Sequence, residues 1–363
     1  MELPKLLQLA DSFENLEEEL DKLDLGRRIL IVHGKSQTKK VAEEVSKRIM
    51  GYELSDTTVE SVTPAAVLAL KEKCNVDFIL AVGGGTVIDA SKYAAYEAKK
   101  PLLVFPTAPS HDGISSPNVS MRAWGKLYSF VTTAPIAVFK HLPTLCSAPY
   151  ELVRAGVGDA LAKYTASRDL FLALEEHNYE PIDTEKLKEV AEKHFIGCAK
   201  AVHELIRQFK EKFYKKFVSN LFDSLFVSGV GMAKIKSSIG ASGSEHNIAH
   251  MLECKHRRHG EKVAIASIPM MYLQQSYLDE EKVYGMDWQT LRQDLATVGI
   301  PTNAREFGIS EEEIVQAVPK ALELGRMRKR YTILDYVDRI VPVNKEFACS
   351  LLKKTKIIYK VTE

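Results

Sequence analysis

The stretch FILAVGGGTVIDASK (78–92) constrains the fold more than any other part of this chain. Phe78–Val82 is apolar without interruption, the pattern of a strand buried on both faces. Gly83, Gly84 and Gly85 then let the backbone bend sharply and approach a neighbour closely, and a helical pattern begins at once. A strand, a glycine turn and a helix in succession open a βαβ unit of a parallel sheet. The first-turn N–H groups at Thr86, Val87 and Ile88 are placed to face an anion. The turn reads either as a pyrophosphate cradle or as a tight connection with no ligand. It has neither the GxGxxG fingerprint nor the Gly-Lys-Ser/Thr ending of a P-loop. Asp89, one step further, contacts a cofactor or complements the helix dipole.

The same alternation fills the first 152 residues. Ile29–Val32, Leu102–Phe105 and Ala137–Phe139 read as further buried strands. QTKKVAEEVSKRIMG carries Val41, Val45 and Ile49 four apart, and Thr63-Pro64 supplies an N-cap and a proline at the first helical position. Past residue 152 the helical period takes over, in GDALAKYTASRDLFLALEE, TEKLKEVAEKHFIGCAKAVHELIRQF, KFVSNLFDSLFVSGVGMAKIKS and five shorter segments. A chain of 363 residues exceeds the roughly 250–300 at which single cores stop growing. The expected architecture is an α/β domain with a parallel sheet over 1–152, followed by an all-α domain over 153–363.

Ligands of open α/β sheets bind beyond the carboxyl ends of the strands. FPTAPSHDGISSP (105–117) follows the third of these strands directly and offers Thr107, Ser110, His111, Asp112, Ser115 and Ser116. These side chains suit a cofactor amide, a ribose or a substrate hydroxyl, although Pro, Ser, Gly and Asp also make an ordinary loop. In the second half, SGSEHNIAHML puts His246 and His250 four apart on one helix face, and His259 follows in HGEKVAIAS. Asp159 opens a long helix. One aspartate with two or three histidines suits a zinc or similar divalent ion with an open position. By spacing alone, His246 and His250 are the natural pair. CKHRRHG (254–260) and GRMRKRYTIL (325–334) are basic and read either as phosphate contacts or as solvated surface.

Composition narrows the function classes. Lys+Arg is 49 and Asp+Glu 48, a net charge of +1, so no overall field draws the chain to nucleic acid or an anionic membrane. No apolar run reaches the ~18–20 residues of a spanning helix, and the acidic start MELPKLLQLADSFENLEEEL is not a secretory signal. Five scattered cysteines in no CxxC spacing fit a reducing compartment and a cytoplasmic protein.

Together these segments resemble archaeal-type sn-glycerol-1-phosphate dehydrogenases, a branch of the iron-containing alcohol dehydrogenase and glycerol dehydrogenase superfamily. VHGKSQTKK, AVGGGTVIDASKYAA, FPTAPSHDGISSP, GVGDALAKYTASRD, SGSEHNIAHML, HGEKVA, DWQTLRQDLATVGIPTNAREFGI and RYTIL follow the family order along nearly the whole chain. The resemblance implies a dinucleotide-binding domain over 1–152, a helical metal- and substrate-binding domain over 153–363 in a dehydroquinate synthase-like architecture, and an active site between them. It implies cofactor contacts at Gly84, Gly85, Thr86, Val87, Ile88 and Asp89, and at Thr107, Ala108, Pro109, Ser110 and Ser116 near the nicotinamide. Asp112 matches a substrate-binding aspartate. Asp159, His246 and His259 match the metal ligands, Asp159 also touching substrate, which moves His250 to a substrate role and overrules the HxxxH pair.

The implied reaction is reduction of dihydroxyacetone phosphate to sn-glycerol 1-phosphate with NADH or NADPH and one divalent metal, zinc by preference. The product serves archaeal membrane phospholipid synthesis. A homo-oligomer acting on this small molecule, without nucleic acid or membrane insertion, is expected. His33-Gly34-Lys35 has no acidic residue beside it to bind a ribose 2′-hydroxyl, and Lys35, Lys39 and Lys40 are near, so NADPH is expected to serve as well as NADH. The rival readings are a glycerol dehydrogenase for the unphosphorylated substrate, a dehydroquinate synthase-like lyase and a silent nucleotide-binding protein.

Overall fold

A computed structural model describes residues 3–124, 126–209, 214–254 and 256–359. The chain forms two compact units, Met1–Val153 with Lys210–Ser237, and Arg154–Phe209 with Ser238–Glu363.

The first unit is built on strands β1 (Lys5–Gln8), β2 (Arg28–His33), β3 (Glu53–Thr58), β4 (Phe78–Gly83), β5 (Leu102–Pro106), β6 (Asn118–Ala123), β7 (Lys126–Val131) and β8 (Ala137–Lys140). Six of them form one sheet in the order β1-β8-β5-β4-β2-β3, every pair parallel. The continuous apolar strands lie inside it: β4, β5 and β8 are buried at every position and β2 at all but its first. Ile29, Ile31, Phe78, Leu80, Val82, Leu103, Phe105 and Phe139 form the core of one face with Val45 and Ile49 of the QTKK segment.

Four strands escape the sequence reading for one reason. β1 and β3 are sheet edges, and β6 and β7 form a separate antiparallel hairpin. ELSDTT is exposed at all but one position, so no apolar run marks it. Strands with one or no buried face carry a weaker pattern than strands sandwiched between helices.

The strand order fixes where ligands can sit. After β2 the chain crosses to β3 on one side, and after β4 it crosses to β5 on the other. Right-handed crossovers in opposite directions put the two connecting helices on opposite faces, so the loops after β2 and β4 diverge and leave a crevice. His33-Gly34 and the glycine turn are the residues at that point.

The helix Tyr214–Ile235 returns to the first unit, whereas the sequence boundary at 152/153 assigns it to the helical domain. Its Gly229 explains the docking. A Cβ there would lie 2.1 Å from Ser115 Oγ and 2.5 Å from the Asp112 carbonyl oxygen, so only a glycine admits the 112–116 loop. Ser115 donates to the Phe226 carbonyl at 2.8 Å, and Lys140 pairs with Asp223 at 2.7 Å.

In the second unit the described residues form helices and no named strand. Ser244–Met251, His259–Tyr277, Trp288–Thr297, Glu311–Met327 and Lys345–Lys354 match the periodic segments to within a few residues. Among the described residues no helix is long and apolar enough to cross a membrane.

Candidate active site

The second unit gathers Asp159, His246 and His259, each offering one ligand atom, with all three atoms within 4.8 Å of one another. Two glycines make this meeting possible. A Cβ on Gly158 would stand 2.3 Å from the Gly260 carbonyl oxygen, and a Cβ on Gly260 only 1.9 Å from that of Ala155. The segment carrying Asp159 and the helix beginning at His259 therefore touch backbone to backbone, one residue from each ligand.

His246 is aimed by its neighbours. Its Nδ1–H donates to Glu245 Oε1 at 2.7 Å, which leaves Nε2 facing Asp159 Oδ1 at 3.8 Å. Glu245 is fully buried and held in turn by the Thr165 hydroxyl at 2.9 Å and the Gly243 N–H at 2.7 Å. A carboxylate behind a ligating imidazole fixes its tautomer and raises its basicity. Lys163, also fully buried, donates to Asp159 Oδ2 at 3.1 Å and to the Asp159 carbonyl at 2.9 Å.

Burial works against the Asp159 carboxylate, but the Lys163 ammonium and the His246 and His259 imidazoles outweigh it and hold the group below the usual carboxylate range. For His246 burial acts downward, and the Asp159 and Glu245 carboxylates raise it above an ordinary histidine. A carboxylate kept charged beside two imidazoles is the donor set a borderline divalent cation takes, so the residues fit a metal.

Asp169 ties the surrounding motifs together. Its carboxylate accepts from the Ser244 N–H (2.7 Å) and hydroxyl (2.6 Å), the Gln274 amide (2.9 Å) and the Ile333 N–H (3.0 Å). The start of the His246 helix, the His259 helix and the RYTIL segment thus share one buried acceptor, which accounts for the serine of SGSEH.

His250 sits one turn beyond His246, its ring 6.1 Å from that of His259, against 5.2 Å between His246 and His259. It is not brought into the ligand trio. Burial, then the charges of Arg328, His259, His246 and Arg330, hold its imidazole well below the ordinary histidine value.

In the first unit, Gly84 caps the helix Gly85–Ala98, one residue earlier than the sequence suggests. The Ile88 N–H is consequently engaged by the Gly84 carbonyl at 3.0 Å, and the Ile88 side chain is fully buried. The expected anion donors shift to Gly85, Thr86 and Val87, the first N–H groups of the helix. Gly84 has open space where a Cβ would be, while Gly85 presses its Cα against His111, whose Nε2 would lie 2.5 Å from a Cβ. Asp89 faces inward: it accepts from the Ser120 N–H at 3.0 Å and lies 3.6 Å from the buried Lys92 ammonium. These bonds fasten β6 to the helix.

Thr107 leaves β5 with its N–H on the Gly83 carbonyl at 3.1 Å, which sets the PTAPSHDG loop beside the glycine turn. Thr107, Ser110 and Asp112 are partly exposed; Ala108, Pro109 and Ser116 are buried. Asp112 begins the short 3-10 turn Asp112–Ile114 and accepts from the Ser228 hydroxyl at 2.9 Å.

Two sequence expectations change. An acidic group does stand at the end of β2: Asp56, from β3, meets the buried His33 ring at 3.1 Å, and Glu60 pairs with Lys35 at 2.7 Å. Parallel pairing brought in residues that sequence proximity does not reveal. In the basic loop His256 and Arg258 are exposed, but Arg257 is held by the fold. Arg257 donates to the Phe307 and Glu306 carbonyls, both at 2.8 Å, and stacks on the Phe307 ring, capping the end of the helix Ala304–Phe307. Lys255 of that loop lies outside the described residues. Sequence reasoning missed Glu245, Lys163 and Asp169; the one available signal was their place inside SGSEH, GDALAK and TASRD.

The family model described as iron-containing alcohol dehydrogenase matches residues 10–149. The glycerol-1-phosphate dehydrogenase (NAD(P)+) of Sulfurisphaera tokodaii is 33% identical over 99% of this chain and 98% of its own. That of Metallosphaera sedula is 33% identical over 92% of each. Among solved structures, a probable glycerol dehydrogenase from Sinorhizobium meliloti gives a TM-score of 0.73 at 18% identity, covering 98% of each chain. The NADH-dependent butanol dehydrogenase A of Thermotoga maritima gives 0.72 at 19%, covering 97% of each. These two likenesses concern the fold alone. With one-third identity along essentially its whole length, the chain belongs to the glycerol-1-phosphate dehydrogenase (NAD(P)+) family of NAD(P)-dependent, metal-binding oxidoreductases.

Proposed function

We propose that this chain reduces dihydroxyacetone phosphate to sn-glycerol 1-phosphate, NAD(P)H and a proton being consumed and NAD(P)+ released. The observation that carries the reading is the Asp159, His246 and His259 cluster in a member of this family. When bound, the two missing groups supply hydride donation, from the dihydronicotinamide, and Lewis acidity toward the ketone oxygen, from the divalent ion.

The chain's own residues do the rest. Asp159, His246 and His259 hold the ion, for which zinc is the proposed identity. Glu245 keeps the proton of His246 on Nδ1, and Lys163 restrains one carboxylate oxygen of Asp159. The first-turn N–H groups of Gly85, Thr86 and Val87 take the cofactor pyrophosphate. Thr107 and Ser110 contact the nicotinamide end, with Ala108, Pro109 and Ser116 as the packed part of that loop. Asp112, fixed by Ser228, accepts a hydrogen bond from the free substrate hydroxyl. Burial and the neighbouring positive charges disfavour the charged form of His250, which suits it to hold a substrate hydroxyl or relay a proton. A cytoplasmic homo-oligomer supplying phospholipid synthesis of the archaeal type completes the proposal.

Product handedness tests it. The glycerol phosphate formed should resist a dehydrogenase specific for sn-glycerol 3-phosphate. Complete oxidation by that enzyme would contradict the assignment.

A further inference from the structure

Near Asp159, His246 and His259 stand two arginines with no carboxylate partner among the described residues and two buried nitrogens with no hydrogen bond. Arg328 directly follows the helix Glu311–Met327. Its half-buried guanidinium reaches Asn247 Oδ1 at 3.2 Å and, among the described residues, pairs with no carboxylate. Three other arginines of this unit are paired with carboxylates: Arg154 with Glu261, Arg168 with Glu175 and Glu280, and Arg326 with Asp335 and Asp338. Arg330 also lacks a carboxylate, donating instead to the Ser242 carbonyl at 2.9 Å and the Ser238 hydroxyl at 2.7 Å.

Asn247 and His250 stand one turn apart on the helix that carries His246. Asn247 gives its oxygen to Arg328, and its Nδ2 is buried with no partner; His250 Nδ1 is buried with none either. Gly325 packs against that amide, where a Cβ would come within 3.1 Å of Nδ2. Arg328 is also close enough for its charge to bear on His250. Burial and the charge of Arg330 push the Arg328 guanidinium down to about 10. The Glu245 carboxylate bears on Arg330 but is already engaged by His246, Thr165 and the Gly243 N–H, so the Arg328 charge and the unsatisfied Asn247 and His250 nitrogens carry a cost that an anion would relieve.

We propose that Arg328, Asn247 Nδ2 and His250 form an anion subsite that holds the phosphate of the substrate, with Arg330 adding to its positive field. The substrate's name rests on the reduction proposed above; the anion subsite rests on the donors alone. In dihydroxyacetone phosphate only a methylene and an ester oxygen separate ketone from phosphorus, so the groups that bind them must be neighbours. The unpaired donors lie on the same helix as His246. A guanidinium meets a phosphate with paired, charge-assisted bonds and gains little from a neutral triol or ketone. The subsite therefore sets the preference for the ester over the free ketone. In the loop at 256–258, Arg257 and His256 are engaged by the Phe307 carbonyl and Arg258 is exposed.

The test compares Arg328→Gln with the unaltered enzyme, both metal-loaded. In Arg328→Gln the ratio of kcat/KM for dihydroxyacetone phosphate over dihydroxyacetone should fall about 100-fold, mostly through KM for the ester. Calorimetric binding of inorganic phosphate with saturating NAD(P)H should be lost with it, while metal content stays unchanged. Asn247→Asp, which sets a carboxylate against Arg328, should weaken phosphate binding in the same direction. An unchanged ratio, or phosphate binding retained in Arg328→Gln, would overturn the subsite. If the unaltered enzyme binds phosphate through Arg328 but does not reduce the ester, the subsite stands and the proposed reaction falls. If it binds no phosphate, the subsite falls.

Discussion

His246→Ala should remove bound metal and turnover together, lowering kcat/KM for dihydroxyacetone phosphate by about a thousandfold or more. The reason lies in how completely this side chain is committed: Nδ1 to Glu245, and Nε2 toward Asp159. Alanine leaves two ligands, too few to hold a divalent ion firmly, and exposes the buried Glu245 carboxylate to an empty space. Glu245→Gln should be milder, since an amide oxygen can still accept from Nδ1; a loss of about 10–100-fold in metal affinity is expected. Metal analysis of the purified variants, alongside turnover, separates the two. Full metal occupancy in His246→Ala would show that the trio is not the binding site.

Gly260→Val is the second large effect, and it acts through the backbone. Even the first carbon of the new side chain would stand 1.9 Å from the Ala155 carbonyl oxygen, so the two helices must separate. Because Asp159 and His259 flank that contact, stability and metal binding should fall together. The stability loss should be about 3 kcal/mol or more, read in a denaturant titration. Gly84→Ala is the informative contrast. No atom lies within 4 Å of its Cβ position, and its φ is negative, so the melting temperature should barely move. The methyl group would instead project toward the proposed pyrophosphate site, and nucleotide affinity should drop. Equal destabilisation by both changes would contradict this division of roles.

What could be read from the sequence follows from burial. Interior strands such as FILAV and LLVF have apolar side chains on both faces, so continuous runs give them away. KLLQ and ELSDTT are edges, and their sequences carry no such mark. The helix Tyr214–Ile235 could not be assigned to its unit by order along the chain; Gly229, in SGVG, is a residue whose necessity hints at a partner.

The ligand trio shows the limit of spacing. A helix-face argument selects His246 with His250, whereas His259, at the start of the next helix, comes in through the Gly158–Gly260 contact. Resemblance to the family pointed to His259 as a ligand; periodicity could not. The sequence reading counted the Ile88 N–H as a free donor through a one-residue error in the helix start, whereas the structure engages it with the Gly84 carbonyl. The Arg328 side chain is indistinguishable in sequence from the paired Arg326 two residues away, because the lack of a counter-charge exists only in three dimensions.

The most direct measurement is NADH or NADPH oxidation, followed at the nicotinamide absorbance, with dihydroxyacetone phosphate and with dihydroxyacetone, each with and without a chelator. Rapid turnover of the phosphate ester, weak turnover of the free ketone and loss of both on chelation is the predicted result. Equal or faster reduction of the free ketone, or turnover that survives removal of the metal, would contradict it.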